Sequence, residues 1–167
     1  MDGALQAQHA SDHRQLVVFY VAGETYGVDI HHVKEIIRVP AITRVPKTPV
    51  FVEGVINLRG SVIPVLDLRK RFGFEPGEAN NDQRIVVIEM DDQTVGVIVD
   101  SVTEVLKVDT ADIGPPSPYV VSVESQYISG IAKLDDQLII LLDVNRVLTT
   151  TEREAFAEFV GDMQNTE

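Results

Sequence analysis

The chain contains one structural unit twice, and that duplication constrains its fold more than any other feature. Leu16 to Val39 reads LVVFYVAGETYGVDIHHVKEIIRV, and Ile85 to Val108 reads IVVIEMDDQTVGVIVDSVTEVLKV. The two align without a gap at an offset of 69, with Val17/Val86, Thr25/Thr94, Gly27/Gly96, Val33/Val102 and Glu35/Glu104 among the identical pairs. A second pair of blocks follows in the same order: Gly54 to Phe72, GVINLRGSVIPVLDLRKRF, and Gly130 to Leu148, GIAKLDDQLIILLDVNRVL, at an offset of 76. Leu58/Leu134, Ile63/Ile139, Leu66/Leu142 and Asp67/Asp143 are identical there. The extra residues of the second copy fall around Pro115, Pro116, Ser117 and Pro118, a stretch that reads as a loop. A repeat of this kind means two similar folding units, so the fold must satisfy the same pattern twice.

Within each copy the pattern is that of short strands. Leu16 to Val21 is β-branched and aromatic, Ala22 to Glu24 is a polar turn, and Tyr26 to Ile30 is apolar again, which together read as a hairpin. Gly27 and Gly96 interrupt their strands at matching places, which implies a bulge or a close backbone approach. A turn over Ile30 to His32 leads into a third strand, Glu35 to Val39. After an irregular connection marked by Pro40, Pro46 and Pro49, Val55 to Leu58 and Val62 to Leu66 form a second hairpin turned at Arg59-Gly60. Its counterpart turns at Asp135-Asp136. About five short strands per copy favour small barrels, because closure removes exposed sheet edges. Helix is confined to a turn over Asp67 to Phe72 and a C-terminal helix from Thr149 to Val160. Thr151 and Glu154 stand there at capping-box spacing, with Phe156, Phe159 and Val160 on one face. The organisation expected is a flexible tail over 1–14, a domain of two intertwined barrel subdomains over 15–150 with repeats at about 16–72 and 85–148, and a C-terminal helix and frayed end over 151–167.

Charge narrows the partner classes. Fourteen basic residues against 26 acidic ones give a net charge of −12, which opposes nucleic acid and anionic membrane surfaces as ligands. Cysteine is absent, no apolar run is long enough to span a bilayer, and Met1 to Gln15 has no signal-like apolar core. These features lead to the expectation of a cytoplasmic protein.

The motifs of catalysis are missing. No GxxxxGK[ST] loop, no GxGxxG after a strand and no GxSxG elbow occurs. His9 and His13 have i, i+4 spacing but lie in the expected tail, and His31 and His32 are neighbours in a turn, so neither pair reads as a metal site. The acidic pairs Asp91-Asp92 and Asp135-Asp136 fall at hairpin turns, where Asp is favoured for backbone reasons. Asp67 and Asp143 hold equivalent places in both copies, which points to bonds with nearby backbone. The expectation is therefore no enzyme, no catalytic residue, no metal and no cofactor.

Positions shared by both copies serve the fold, whereas exposed positions that diverge are free to serve a partner. The sharpest divergence is Asn57-Leu58-Arg59-Gly60 against Lys133-Leu134-Asp135-Asp136. From Leu16 to Gln83 there are 8 basic and 8 acidic residues, and from Arg84 to Leu148 there are 4 and 11. Two barrels with different fields would suit two different partners.

The runs VKEIIRVP, TPVFVEGVINLRGSVIPVLDLRKRFG and QYISGIAKLDDQLIILLDVNRVL resemble the CheW family of chemotaxis coupling proteins over about 15 to 150. That resemblance implies an all-β fold of two pseudo-symmetric five-stranded SH3-like β-barrels sharing a hydrophobic core, with a short C-terminal helix. It implies a scaffold without catalytic activity that links chemoreceptor cytoplasmic tips to the histidine kinase CheA, whose CheW-like regulatory domain packs barrel against barrel. Receptor helices would dock between the barrels, and the protein would sit at membrane-associated receptor arrays without inserting. Carried over onto this sequence, Glu35 and Arg59 match positions linked to coupling, with Val33 beside them and Asn57 in the same NLRG turn. An Arg59–Glu35 ion pair could equally brace the first barrel. Two rivals remain: an adaptor of a related pathway controlling pili, biofilm or development, and an enzyme or small-molecule sensor whose pocket lies between barrels.

Overall fold

The computed structural model describes residues 12–90, 93–116 and 125–165. The first copy supplies β1 (His13–Val21), β2 (Glu24–Asp29), β3 (Val33–Arg38), β4 (Val52–Leu58), β5 (Ser61–Asp67) and the single-turn helix α1 (Leu68–Arg71). The second supplies β6 (Arg84–Met90), β7 (Gln93–Val99), β8 (Ser101–Asp109), the two-residue β9 (Ile113–Gly114), β10 (Ile128–Leu134) and β11 (Gln137–Leu142), followed by the helix α2 (Thr150–Asn165). A 3-10 turn over Ile30–His32 separates β2 from β3, as the sequence indicates.

The strands do not assort by copy. One sheet runs β8-β1-β2-β11-β10-β9 and the other β3-β6-β7-β5-β4. Each SH3-like sheet therefore takes its first hairpin from one copy and its remaining strands from the other. The seams are equivalent parallel pairings: Gly27 opposite Leu141 in one sheet, Gly96 opposite Val65 in the other. The short β9, which makes the first sheet six-stranded, corresponds to a single bridge in the second, Thr43 opposite Val55.

This exchange explains why the strands are nearly continuous apolar runs, the signature of burial on both faces. Leu16 and Val18 turn inward onto Val108, Ala132, Ile139 and Leu141 of their own sheet. Phe19 and Val21 turn outward into a central cluster with Tyr26, Leu66, Val86, Ile88 and Val97. In the second sheet Ile85 and Val87 turn inward onto Ile56, Ile63, Val65 and Ile98, while Val86, Ile88 and Met90 face the shared cluster. The same parity rule thus operates twice, 69 residues apart.

Several expectations need correction. His13 and Arg14, expected in the tail, belong to β1; His13 meets Asp109 at 2.6 Å and Arg14 meets Asp29 at 3.2 Å. The third strand begins at Val33, ahead of Glu35. The charge contrast between copies does not become a contrast between sheets: the strands of each sheet carry three Lys or Arg and four Asp or Glu. The hairpin exchange mixes the copies, and the acidic excess lies in turns and connections. Gly27 and Gly96 mark close approach and no bulge: a Cβ would lie 3.0 Å from Ile139 Cγ2 at Gly27 and 2.8 Å from Ile85 Cγ2 at Gly96. His9, Asp91, Asp92, Ser117 and Pro118 lie outside the described residues.

Asp67 and Asp143 do bond nearby backbone, accepting from the Arg69 N–H at 2.9 Å and the Asn145 N–H at 3.1 Å. The C-terminal helix runs further than Val160, and its capping box is formed by Thr149 and Glu152, two residues ahead of the expected Thr151 and Glu154. The Thr149 hydroxyl accepts from the Glu152 N–H at 3.1 Å, and Glu152 Oε1 accepts from the Thr149 N–H at 2.8 Å. Both pairs have the same spacing, so only tertiary structure chooses between them. Arg71 makes the choice: its guanidinium donates to Glu152 at 2.9 and 3.2 Å and to the Val147 carbonyl at 2.7 Å, and lies over the Phe51 and Tyr127 rings. One turn on, Phe156 is buried in the shared cluster; the side chains of Phe159 and Val160 are outside the described part.

Two outcomes follow from this packing. Gly54 has φ +144°, and a Cβ there would sit 2.1 Å from the Thr43 carbonyl oxygen. Gly54→Ala should lower stability by about 2–4 kcal/mol in denaturant titration, since both backbone strain and a main-chain clash oppose it. Glu152→Ala removes the cap and strands the Arg71 guanidinium, for a loss of about 1–3 kcal/mol. Hydrogen exchange should show faster exchange in residues 150–158 with the strand amides unchanged; uniform loss of protection would contradict this account.

Candidate docking site

The turn between β4 and β5 has two central residues, Arg59 at φ +52° and Gly60 at φ +88°. Positive φ at both is the twist-matched form of a two-residue hairpin loop. Gly60 adopts it freely, whereas Arg59 does so against its preference. The turn is stabilised from the preceding strand, where Asn57 Oδ1 accepts the Gly60 N–H at 2.8 Å. Asn57 thus shapes the loop that presents Arg59.

Arg59 reaches Glu35 with both arms of its guanidinium, Nη1 to Oε2 at 2.5 Å and Nη2 to Oε1 at 2.7 Å. This fork geometry is the strong form of an ion pair. The Arg59 side chain is 73% exposed and that of Glu35 is 23% exposed, so the pair lies at the surface. The hydrogen bonds from Arg59 hold the Glu35 carboxyl below the usual carboxylate range, outweighing the opposing effect of desolvation.

The topology gives this pair a second meaning. β3 and β4 are the two edges of the five-stranded sheet, and Glu35 stands on one while Arg59 stands at the end of the other. Their bond joins the edges of the curled sheet, and the Thr43–Val55 backbone bonds of 2.8 and 2.9 Å tie the connection after β3 to β4. In the other sheet the matching positions are Glu104 on β8 and Asp135 in the β10–β11 turn, two acids that cannot bond in this way.

Val33 is placed differently from the other three. A register shift separates it from Glu35, and its half-buried side chain packs against the shared cluster. The structure brings Glu35, Asn57 and Arg59 to one surface and leaves Val33 beneath it. Sequence reasoning missed Ile36, a large apolar side chain that is exposed on β3 between Glu35 and Ile37. The signal was available in the alternation of VKEIIR, which sends Lys34, Ile36 and Arg38 outward together. Lys34 pairs with Glu89 at 3.4 Å on that face.

Comparison with known proteins follows the same lines as the geometry. A family model described as CheW-like domain matches residues 15–152. The chain is 32% identical over 139 residues to "Chemotaxis protein CheW" of Klebsiella aerogenes, covering 83% of this chain and 84% of that protein. It is 37% identical over 134 residues to "Chemotaxis protein CheW" of Helicobacter pylori, covering 80% and 81%. Among solved structures, the scaffolding protein TtCheW of Thermoanaerobacter tengcongensis superposes with a TM-score of 0.77 at 42% identity, covering 83% of this chain and 90% of that one. With this fold, this duplicated pattern and matches over most of its length, the chain belongs to the CheW-like domain family.

Proposed function

We propose that this chain is a non-enzymatic scaffold of chemotaxis signalling, coupling chemoreceptors (methyl-accepting chemotaxis proteins) to the histidine kinase CheA. The observation that carries the reading is the rigidly presented Arg59–Glu35 fork on a CheW-like surface. The fork ties this loop to β3 with two bonds while the Arg59 side chain stays 73% exposed, so the guanidinium is held in place and still faces solvent. The relatives named for chemotaxis and the neighbour titled a scaffolding protein support the same assignment. In this reading residues 15–150 act as one unit. Arg59, Glu35 and Asn57 meet a protein partner, Val33 sets the surface beneath them, and the protein works at receptor arrays on the cytoplasmic face of the membrane.

The test is capture of the cognate CheA and assembly with receptor fragments, repeated with Arg59→Ala and Glu35→Ala. Each variant should keep its circular dichroism spectrum and lose about tenfold or more in partner affinity, as truncation at a central docking residue does. Unchanged capture by both variants would assign the pair to bracing alone.

The ionisation of Glu35 gives an independent check that the pair persists in solution. A folded pKa below the unfolded one means the interaction is present above the unfolded value and is lost as pH falls through the folded value. Carboxyl-carbon NMR should therefore show Glu35 titrating at lower pH than free glutamate, with Arg59→Gln returning the midpoint upward. A normal midpoint in the wild type would show that the fork is not populated.

A further inference from the structure

The connection that leaves β3 has an unusual charge for this protein. About one residue in six of the chain is acidic, yet from Ile36 to Val52 there is no Asp or Glu, while Arg38, Arg44 and Lys47 all occur there. All three are exposed, and among the described residues none has a carboxylate partner, although Arg14, Lys34, Arg59, Arg69, Lys70 and Arg71 each have one. Arg38 also stands directly opposite Arg84 across the β3–β6 ladder. Like charges facing each other in a ladder repel, and Arg84 bonds only the Asn81 and Gln83 carbonyls, which leaves its charge in place.

Basic residues on an edge strand ordinarily keep that edge from pairing, and Lys34 and Arg38 would suffice for that. Arg44 and Lys47 are outside the strand, and that purpose does not account for them. An apolar anchor accompanies them: Val50, 79% exposed, stands in the turn closed by the Val52 N–H donating to the Pro49 carbonyl at 3.0 Å, beside buried Phe51, which Arg71 covers. The connection itself is held to β4 by the two Thr43–Val55 backbone bonds. In the second copy Lys107 matches Arg38, but from Asp109 onward that copy carries Asp109 and Asp112 and has no Lys or Arg before Lys133, so the two connections differ in sign.

We infer that Arg38, Arg44, Lys47 and Arg84, with Val50 as anchor, form a docking surface for an acidic, amphipathic protein segment. Charge complementarity selects the occupant: cations spaced along a fixed connection match carboxylates spaced along a segment, and Val50 takes one of its apolar residues. Of these residues Arg38 shares β3 with Glu35, Arg84 is on β6, and the others follow the connection to β4; the inference rests on the reading above only for the ligand's being a protein.

The experiment uses the full-length chain, isotope-labelled, titrated with a peptide of four Glu-Ala-Leu repeats, with the matching Lys-Ala-Leu peptide, phosphatidylglycerol vesicles and heparin as comparisons. The glutamate peptide should shift amides over 36–50 and at Arg84, bind more weakly as salt rises, and lose about tenfold in affinity on the double substitution Arg38→Glu and Arg44→Glu. Val50→Ser should weaken it without altering the salt slope. Equal binding of the two peptides, shifts confined elsewhere, an unaffected double variant, or tighter binding of vesicles or heparin would each overturn the inference. Wild-type protein that captures CheA but ignores the glutamate peptide sinks this inference alone, whereas failure to capture CheA with peptide binding intact sinks only the coupling assignment.

Discussion

The structure depends on burying the first hairpin of each copy on two faces at once. One face closes the sheet to which the hairpin is hydrogen-bonded, through Leu16 and Val18 or Ile85 and Val87. The other builds the common cluster, through Phe19 and Val21 or Val86, Ile88 and Met90. A strand buried on both sides cannot slip by one residue without moving polar groups into two cores, so register is doubly specified. Because each hairpin comes from the opposite copy, neither sheet is complete without the other. Arg69 adds a polar tie across this junction. From α1 it meets Asp100 at 2.6 and 2.8 Å, and Asp100 also accepts the Ala22 N–H at 2.9 Å. Burial favours the neutral acid at Asp100, but the bonds from Arg69 and Ala22 prevail and hold its carboxyl below the usual range.

What the sequence could convey follows from the range of each interaction. Strand positions, the Asp67 and Asp143 caps and the Arg59-Gly60 turn are written in local pattern, and they were legible. Which strands the intertwined barrels exchange was not, because a repeat specifies the same pattern whether each hairpin pairs within its copy or with the other. Only the three-dimensional fit of the shared cluster decides. The contrast in charge between copies misled for the same reason: it was counted along the chain, while the sheets are assembled across it. The capping box failed on a smaller scale, since Thr149/Glu152 and Thr151/Glu154 have identical spacing and the distant Arg71 selects the first.

The candidate site shows how a repeated frame becomes asymmetric. Glu35 and Glu104 occupy the same position on equivalent edge strands, so a carboxylate there suits the frame as such. The partner across the gap differs: Arg59 in one sheet completes a fork, and Asp135 in the other adds a second negative charge. Sequence named Glu35, Arg59 and Asn57 because the NLRG turn is distinctive, but nothing local revealed that Arg59 spans from one sheet edge to the other. Bracing and docking are compatible in such a pair. A guanidinium already held by one carboxylate keeps further donors facing solvent, and its conformational entropy is lost before any partner arrives.

The same pre-organisation extends along this side of the molecule. The edge of β3, the Arg59 turn and the connection to β4 are each pinned by short-range bonds: the fork, the Asn57–Gly60 bond and the Thr43–Val55 bridge. None of these lies in a hydrophobic cluster, so each can change with little effect on the shared core that sets the fold. Divergence is permitted where the frame does not depend on the side chain, as Arg59 against Asp135 shows. A protein whose interior enforces two-fold likeness can therefore still present two unlike surfaces.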